Sequence, residues 1–188
     1  DIFVSFFLIF LTFPIAIISC VLIKLDDGGP IFYSQIRTGH MQKPFKIIKF
    51  RTMKIDAEKE GAQWAKRNDK RITRIGKFLR TTRIDELPQL VGVIEGKLSL
   101  IGPRPERPEF DAYIKNELPH YQKRTLFRPG LSGWAQVNYP YGASLKDTEN
   151  KLSYDLYYIK NFTIILDLLI TIKTIKLIIN ANGSEPIN

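Results

Sequence analysis

Cysteine and histidine are nearly missing from this chain: Cys20 is the only thiol, and His40 and His120 stand far apart. One cysteine excludes an internal disulfide and a cysteine-based zinc site, and it fits a reducing cytoplasm. Two distant histidines disfavour zinc in the same way, and each reads as an ordinary surface or packing residue. Neither common glycine-rich phosphate loop is present. P-loop and Rossmann nucleotide sites are therefore disfavoured, and phosphate recognition must fall to arginine, lysine and helix ends. Acidic residues are few as well, 19 against 28 Lys and Arg, leaving a net charge of +9. That excess asks for an anionic partner. Nucleic acid, anionic lipid and a phosphorylated substrate all satisfy it, and the hydrophobic ends of the chain favour lipid and phosphate.

A length of 188 residues allows one domain with a sizeable core, with membrane elements attached. Ile2 to Ile23 carries no formal charge and is long enough to cross a bilayer as a helix. Pro14 lies in its middle. Two arrangements stay open: a kinked spanning helix, or one that breaks at Pro14 and returns to the side it entered from. The absence of a basic leader and of a small-residue cleavage site disfavours a cleavable signal peptide. Because the apolar run follows directly on Asp1, a further upstream region is expected.

After a turn-rich exit at Lys24 to Pro30, Ile31 to Gln35 and Phe45 to Met53 read as two strands of a hairpin. Lys49 and Arg51, two apart on the second strand, share a face, either solvated or phosphate-binding. Lys54 to Asp69 reads as an exposed helix or long loop broken at Gly61, with Trp64 a packing anchor or interfacial residue. Arg71 to Thr81 forms a helix with Ile75, Phe78 and Leu79 on one side and cations on the other.

That helix leads into Thr81-Thr82-Arg83-Ile84-Asp85-Glu86-Leu87-Pro88-Gln89-Leu90. Proline lacks an N–H and is tolerated in a helix's first turn, so the next helix should begin near Asp85 and stop at Gly96. Asp85 and Glu86 then read either as an N-cap and a dipole-stabilising acid or as a reactive pair. Cations at Arg74, Lys77, Arg80 and Arg83 would keep a carboxylate ionised and attract phosphate. An ionised aspartate can attack phosphorus, and its neighbour can hold the magnesium that neutralises a diphosphate.

Further along, Leu98 to Gly102 is a short apolar run ending at Pro103-Arg104-Pro105, where two prolines stiffen the backbone around an arginine, as a phosphate clamp or an ordinary stiff loop. Pro108 to Leu118 and Pro119 to Phe127 read as helices opening at proline. Ile164, Leu168, Ile172, Ile175 and Ile179 form a helical stripe, interrupted by Asp167, Lys173 and Lys176. Such a helix lies on a membrane with its lysines at the headgroups, or else is buried in the core. Tyr154 to Lys160 adds aromatic residues of the kind found at headgroup depth.

Lys49 to Met53, Asp85 to Leu90, Ser99 to Pro105, Arg128 to Gln136 and Tyr154 to Asn161 occur together in an order that resembles the bacterial sugar transferases, the monotopic phosphoglycosyl transferases. The likeness covers nearly the whole chain. It implies a mixed α/β fold: a compact, helix-rich catalytic domain with a β-hairpin, on a re-entrant membrane helix with interfacial amphipathic helices. Residues 1–25 would be the membrane helix and 26–188 the cytoplasmic catalytic domain, with an interfacial helix at 162–180. The implied reaction moves a sugar 1-phosphate from a UDP-sugar to undecaprenyl phosphate at the cytoplasmic face of the bacterial inner membrane.

Carried over to this sequence, the resemblance implies that Asp85 is the nucleophile that takes the phosphosugar and releases UMP. Glu86 would bind magnesium, with manganese as a substitute. Lys49, Arg51, Arg80, Arg104, Arg128 and Gln136 would line the substrate pocket. Where the family often has serine before the re-entrant proline, this chain has Phe13-Pro14, and Thr12 could replace the missing hydroxyl. Pro105 to Phe110 and Asn138 to Ser144 resemble exopolysaccharide-type members, many of which carry an extra N-terminal region. That likeness tilts the expected sugar toward glucose or galactose 1-phosphate. The expected partners are UDP-sugar, undecaprenyl phosphate and membrane lipid, without nucleic acid, and a homo-oligomer is left open. Two competing readings are an inactive membrane scaffold and a basic lipid- or nucleic-acid-binding module.

Overall fold

In a computed structural model that describes residues 1–59, 61, 69–140 and 144–180, the first apolar run forms α1 (Ile2–Asp27). At 1.5 Å per residue it is about 39 Å long, against a bilayer core of about 30 Å. It passes through Pro14 and ends at Gly28, whose positive φ of 71° lets its N–H cap the Lys24 carbonyl. Pro14 leaves the Phe10 carbonyl without its helical donor. Thr12 does not supply one, because its hydroxyl donates to Leu8 O at 2.7 Å.

Much of α1 presents bare apolar surface, with Phe3 and Phe10 91% and 82% exposed. Ser5, Ser19 and Ile23 are buried. Ile23 joins Phe50 and Leu79 in a cluster against which Ala16, Cys20, Ile31, Ile75, Ile84 and Leu87 pack. Both ends of α1 are tied to the same globular unit: Ser99 Oγ donates to Asp1 Oδ2 at 2.6 Å, and Arg51 NH1 donates to Asp27 Oδ2 at 2.6 Å.

The hairpin is formed by β1 (Phe32–Thr38) and β2 (Pro44–Phe50), antiparallel, with Tyr33 opposite Lys49. The first strand runs three residues beyond Gln35, where sequence alone would end it. The second stops at Phe50, after which Arg51 N–H bonds the Ile31 carbonyl and Met53 bridges to Ile72. Of 54–69, residues 55–59 are turn rather than helix, while 60 and 62–68, Trp64 among them, lie outside the described residues, as do 141–143.

Thr73 caps α2 (Arg74–Thr81) by accepting from Gly76 N–H at 2.9 Å. Leu79 is fully buried and Ile75 packs on the α1 cluster, but Phe78 is 55% exposed and leaves the core. Glycine is required at position 76, since a Cβ there would lie 2.0 Å from the Thr52 carbonyl oxygen.

The single helix expected from Asp85 to Gly96 is divided. Arg83 takes a left-handed conformation (φ 59°), Ile84–Glu86 form a 3-10 turn, and α3 (Gln89–Ile94) follows. Pro88 cannot donate back to Ile84, so the turn closes by shorter bonds, Glu86 N–H to Arg83 O and Leu87 N–H to Ile84 O.

Beyond α3, β3 (Ser99–Ile101) pairs in parallel with β4 (Gly130–Ser132). α4 (Pro108–Glu117) opens at its proline as expected. The helix expected over 119–127 is a 3-10 turn, Tyr121–Leu126, because Leu118 is extended and His120 is left-handed (φ 64°). Ile114, Leu118, Tyr121 and Leu152 form a second core cluster.

Next come α5 (Trp134–Asn138), α6 (Leu145–Lys160) with a Ser144/Asp147 capping box, and α7 (Ile164–Ile179). On α7 the five-residue isoleucine and leucine stripe is exposed, from 52% at Ile175 to 77% at Ile164, while Ile170 is fully buried. A core helix would show the reverse. Two expectations for this region change. Lys173 turns inward over the Trp134 ring, 4.8 Å from its centroid, and bonds Asn138; Lys176 stays exposed. Tyr158 is a core residue, 2% exposed, bonding Asp167 at 2.8 Å, whereas Tyr157 remains half exposed.

Candidate active site

Three elements meet at the acidic pair. The 3-10 turn supplies Asp85 and Glu86, β2 supplies Lys49, and α2 supplies Arg80. Lys49 Nζ donates to Glu86 Oε1 at 2.6 Å and Arg104 NH2 donates to the same oxygen at 2.8 Å. Arg80 Nε donates to Thr52 Oγ1 at 3.0 Å, so the close approach at Gly76 also sets the position of this arginine. Asp85 is 7% exposed, and among the described residues its Oδ1 is buried without a hydrogen-bond partner.

The two acids are driven in opposite directions. Burial, with the adjacent Glu86 charge, pushes the Asp85 carboxyl above the usual aspartate range, despite Lys49, Arg80 and Arg83. Burial alone would raise Glu86 too, but Arg104, Lys49 and Arg83 outweigh it and hold that carboxyl well below its ordinary value. Burial also lowers Lys49, against the pull of Glu86. The surrounding cations therefore outweigh burial at Glu86 but not at Asp85.

A cavity of about 290 Å³ opens beside the pair, lined by Lys49, Thr52, Arg80 and Asp85 at one part and Tyr33, Arg37, Glu58 and Arg107 at another. Of the residues expected from sequence, Asp85, Lys49 and Arg80 share this wall, and Glu86 and Arg104 join them through hydrogen bonds. Arg51 also lines the cavity, but its guanidinium is spent on Asp27, the Pro30 carbonyl and the Met53 carbonyl. It acts as a brace between α1 and the hairpin. Arg128 and Gln136 are not among the cavity-lining residues; Gln136 Nε2 donates to Leu131 O at 3.2 Å, holding the turn between β4 and α5.

Sequence reasoning missed Tyr33, Arg37, Glu58 and Arg107. The first two could have been found from strand alternation, since residues 33, 35 and 37 share a face. Arg107 and Glu58 were hidden because they meet only in the fold, at 2.9 Å.

A helix long and apolar enough to cross a membrane is bound at both ends to a small α/β unit, and a buried carboxylate whose Oδ1 has no partner among the described residues lies beside a cationic cavity. The family described as bacterial sugar transferase matches residues 1–181, and the chain belongs to that family. It is 47% identical over 172 residues to the UDP-N-acetylgalactosamine-undecaprenyl-phosphate N-acetylgalactosaminephosphotransferase of Aeromonas hydrophila, covering 92% of this chain and 41% of the relative. It is 37% identical over 177 residues to the UDP-glucose:undecaprenyl-phosphate glucose-1-phosphate transferase of Klebsiella pneumoniae, covering 93% and 38%. The protein of that same name from Escherichia coli (strain K12) is 34% identical over 177 residues, covering 93% and 38%. The chain thus spans about two fifths of the length of these relatives.

Proposed function

We propose that this chain transfers a sugar 1-phosphate from a UDP-sugar to undecaprenyl phosphate through a phosphosugar ester on Asp85. The observation that carries the reading is the Asp85 carboxylate itself: buried, unpartnered at Oδ1 among the described residues, and set in the wall of a cavity that also presents Lys49 and Arg80. An oxygen left unsatisfied in this way costs stability, so its retention suits a group kept for reaction. An inactive scaffold or a simple basic module has no use for it.

In the proposed step an Asp85 oxygen attacks the β-phosphorus, the phosphoanhydride bond breaks, and UMP leaves with the bonding electrons. Lys49, Arg80 and Arg104 lie where they can stabilise the charge that develops on the phosphoryl oxygens. A phosphate oxygen of undecaprenyl phosphate then attacks the same phosphorus and frees the aspartate.

The acids also fit a divalent cation. Asp85 Oδ1 has no partner and Glu86 is held ionised, but no cluster of three metal-ligating side chains occurs among the described residues. Magnesium, or manganese in its place, would therefore be held by these carboxylates together with donor phosphate oxygens, where it would neutralise diphosphate charge.

The Aeromonas relative, at 47% identity, is named for N-acetylgalactosamine, and those at 37% and 34% for glucose. UDP-N-acetylgalactosamine is accordingly the first donor to test, ahead of the glucose or galactose expected from the exopolysaccharide-type motifs.

The bare apolar faces of α1 and α7 support attachment to the inner membrane. Contacts from Asp1 and Asp27 to one globular unit support re-entry of α1 on the cytoplasmic side, where UDP-sugars are made. Purified chain supplied with magnesium, undecaprenyl phosphate and UDP-N-acetylgalactosamine or UDP-glucose should release UMP in step with lipid-diphosphate-sugar, and excess EDTA should stop it. Release of UDP instead, or no UMP from any UDP-sugar tried, would overturn the reading.

A further inference from the structure

Arg104 reaches the acidic pair from a loop held through its carbonyls: Gly130 N–H donates to Pro103 O at 3.0 Å and Arg37 NH1 to Pro105 O at 3.2 Å. Pro103 and Pro105 on either side of it have no N–H to donate. A further anchor holds Arg104 itself. Arg124, buried in the 3-10 turn Tyr121–Leu126, donates from NH2 to the Arg104 carbonyl oxygen at 2.7 Å. The same guanidinium is itself immobilised: Nε and NH2 lie 3.0 and 2.8 Å from Asp155 Oδ2, and NH1 donates to Tyr121 Oη at 3.0 Å. Tyr121 Oη in turn donates to Asp111 Oδ1 at 2.5 Å. Asp155, on α6, is 2% exposed.

A buried ion pair is a poor device for stability alone, because apolar side chains of similar volume often do as well. What apolar side chains cannot do is hold a backbone carbonyl. A planar fork with each of its nitrogens engaged fixes both its own place and that of its acceptor. The contacts therefore run without a gap from α6 through Asp155 and Arg124 to the Arg104 backbone, and through the Arg104 side chain to Glu86.

We propose that Arg124 and Asp155 are positioning residues for sugar-phosphate transfer, holding the Arg104 carbonyl so that the Arg104 guanidinium stays on Glu86 and beside the donor diphosphate. This inference rests on the transferase reading above. The paired substitution Arg124→Met with Asp155→Leu removes both buried charges together and leaves the Arg104 carbonyl without its donor.

The full chain with this pair should keep its far-UV circular dichroism. Its kcat should fall ~10–100-fold, the scale of a misplaced catalytic contact. In an Arg104→Ala background the same pair should cause no further fall, because the contact it acts through is already gone. A purely structural role would lower the two backgrounds by the same factor and overturn the proposal.

Hydrogen exchange needs no substrate and separates the two readings. Peptides covering 102–107 should exchange faster in the paired variant while those covering 145–160 keep their protection. If the paired variant fails to fold, Arg124→Lys retains a cation for Asp155 but cannot span all the acceptors, and the same two results are expected from it. Unchanged exchange at 102–107 would overturn the positioning role and leave the transferase reading standing. Faster exchange in a chain whose wild type turns over no UDP-sugar would defeat the transferase reading, and with it the catalytic consequence.

Discussion

Asp85 and Glu86 are bonded neighbours with opposite electrostatic fates, and this difference can be measured. Asp85 has a raised folded-state pKa, so the fold favours its neutral form. Its stabilising contribution is present below the unfolded aspartate value and is lost as pH rises through the folded value. At neutral pH the ionised side chain is a liability, and Asp85→Asn should raise Tm by ~2–4 °C. The gain should vanish below about pH 4, where aspartate is itself protonated. Glu86 has the opposite sign: its lowered pKa contributes stability above the unfolded glutamate value and loses it as pH falls through the folded one. Glu86→Gln would leave Lys49 and Arg104 without their carboxylate and should cost ~3 kcal/mol at pH 7. Thermal unfolding of both variants across pH checks the pair, and equal responses would contradict the assignment.

Turnover should follow the same logic. Because the attacking form of Asp85 is the carboxylate, kcat/KM should fall on the acid side around a pKa above the ordinary aspartate value. A limb at or below 3.8 would be inconsistent with the buried site. The pair itself was legible in the sequence because two acids stand out among cations. Its division of labour was not, since it depends on Lys49 and Arg104, 37 and 18 positions away, choosing Glu86.

At the scale of elements, the close contact between α2 and Thr52 ties architecture to chemistry. Gly76→Ala would drive a methyl carbon into the Thr52 carbonyl region, costing about 1–3 kcal/mol. It should also lower kcat by displacing Arg80 from Thr52, and unchanged stability and rate would contradict the packing. On α7, Leu168→Lys and Ile172→Lys place charge on the exposed stripe and should weaken flotation with vesicles containing anionic lipid, while leaving circular dichroism intact. Equal flotation would remove this helix from the membrane surface.

An uncharged apolar run made α1 readable in advance, an opening proline α4, and one-sided apolar spacing α2 and α7. The 3-10 segments were misread as helices because proline marks where a helix can start but says nothing of a left-handed residue nearby, such as Arg83 or His120. Tyr158 and Lys173 are ambiguous in the sequence for a related reason. An aromatic ring or a lysine stem serves the core or the surface equally well until its neighbours, Asp167 and Trp134, are in place.

For the whole molecule, the excess positive charge, the long apolar helix and the order of motifs pointed together to a phosphate-handling protein at a membrane. The cavity did not show in the sequence, because its walls come from the hairpin, α2, the 3-10 turn and residues 106–110, which meet only in the fold. Transfer by the proposed route requires Asp85 to become covalently loaded, which intact-protein mass spectrometry can measure. Chain mixed with magnesium and UDP-N-acetylgalactosamine or UDP-glucose, without lipid acceptor, should gain the mass of one sugar phosphate. Peptide mapping should place it on Asp85, undecaprenyl phosphate should discharge it, and Asp85→Asn should never acquire it. Normal turnover by a folded Asp85→Asn variant, or an adduct mapped to another residue, would contradict the account.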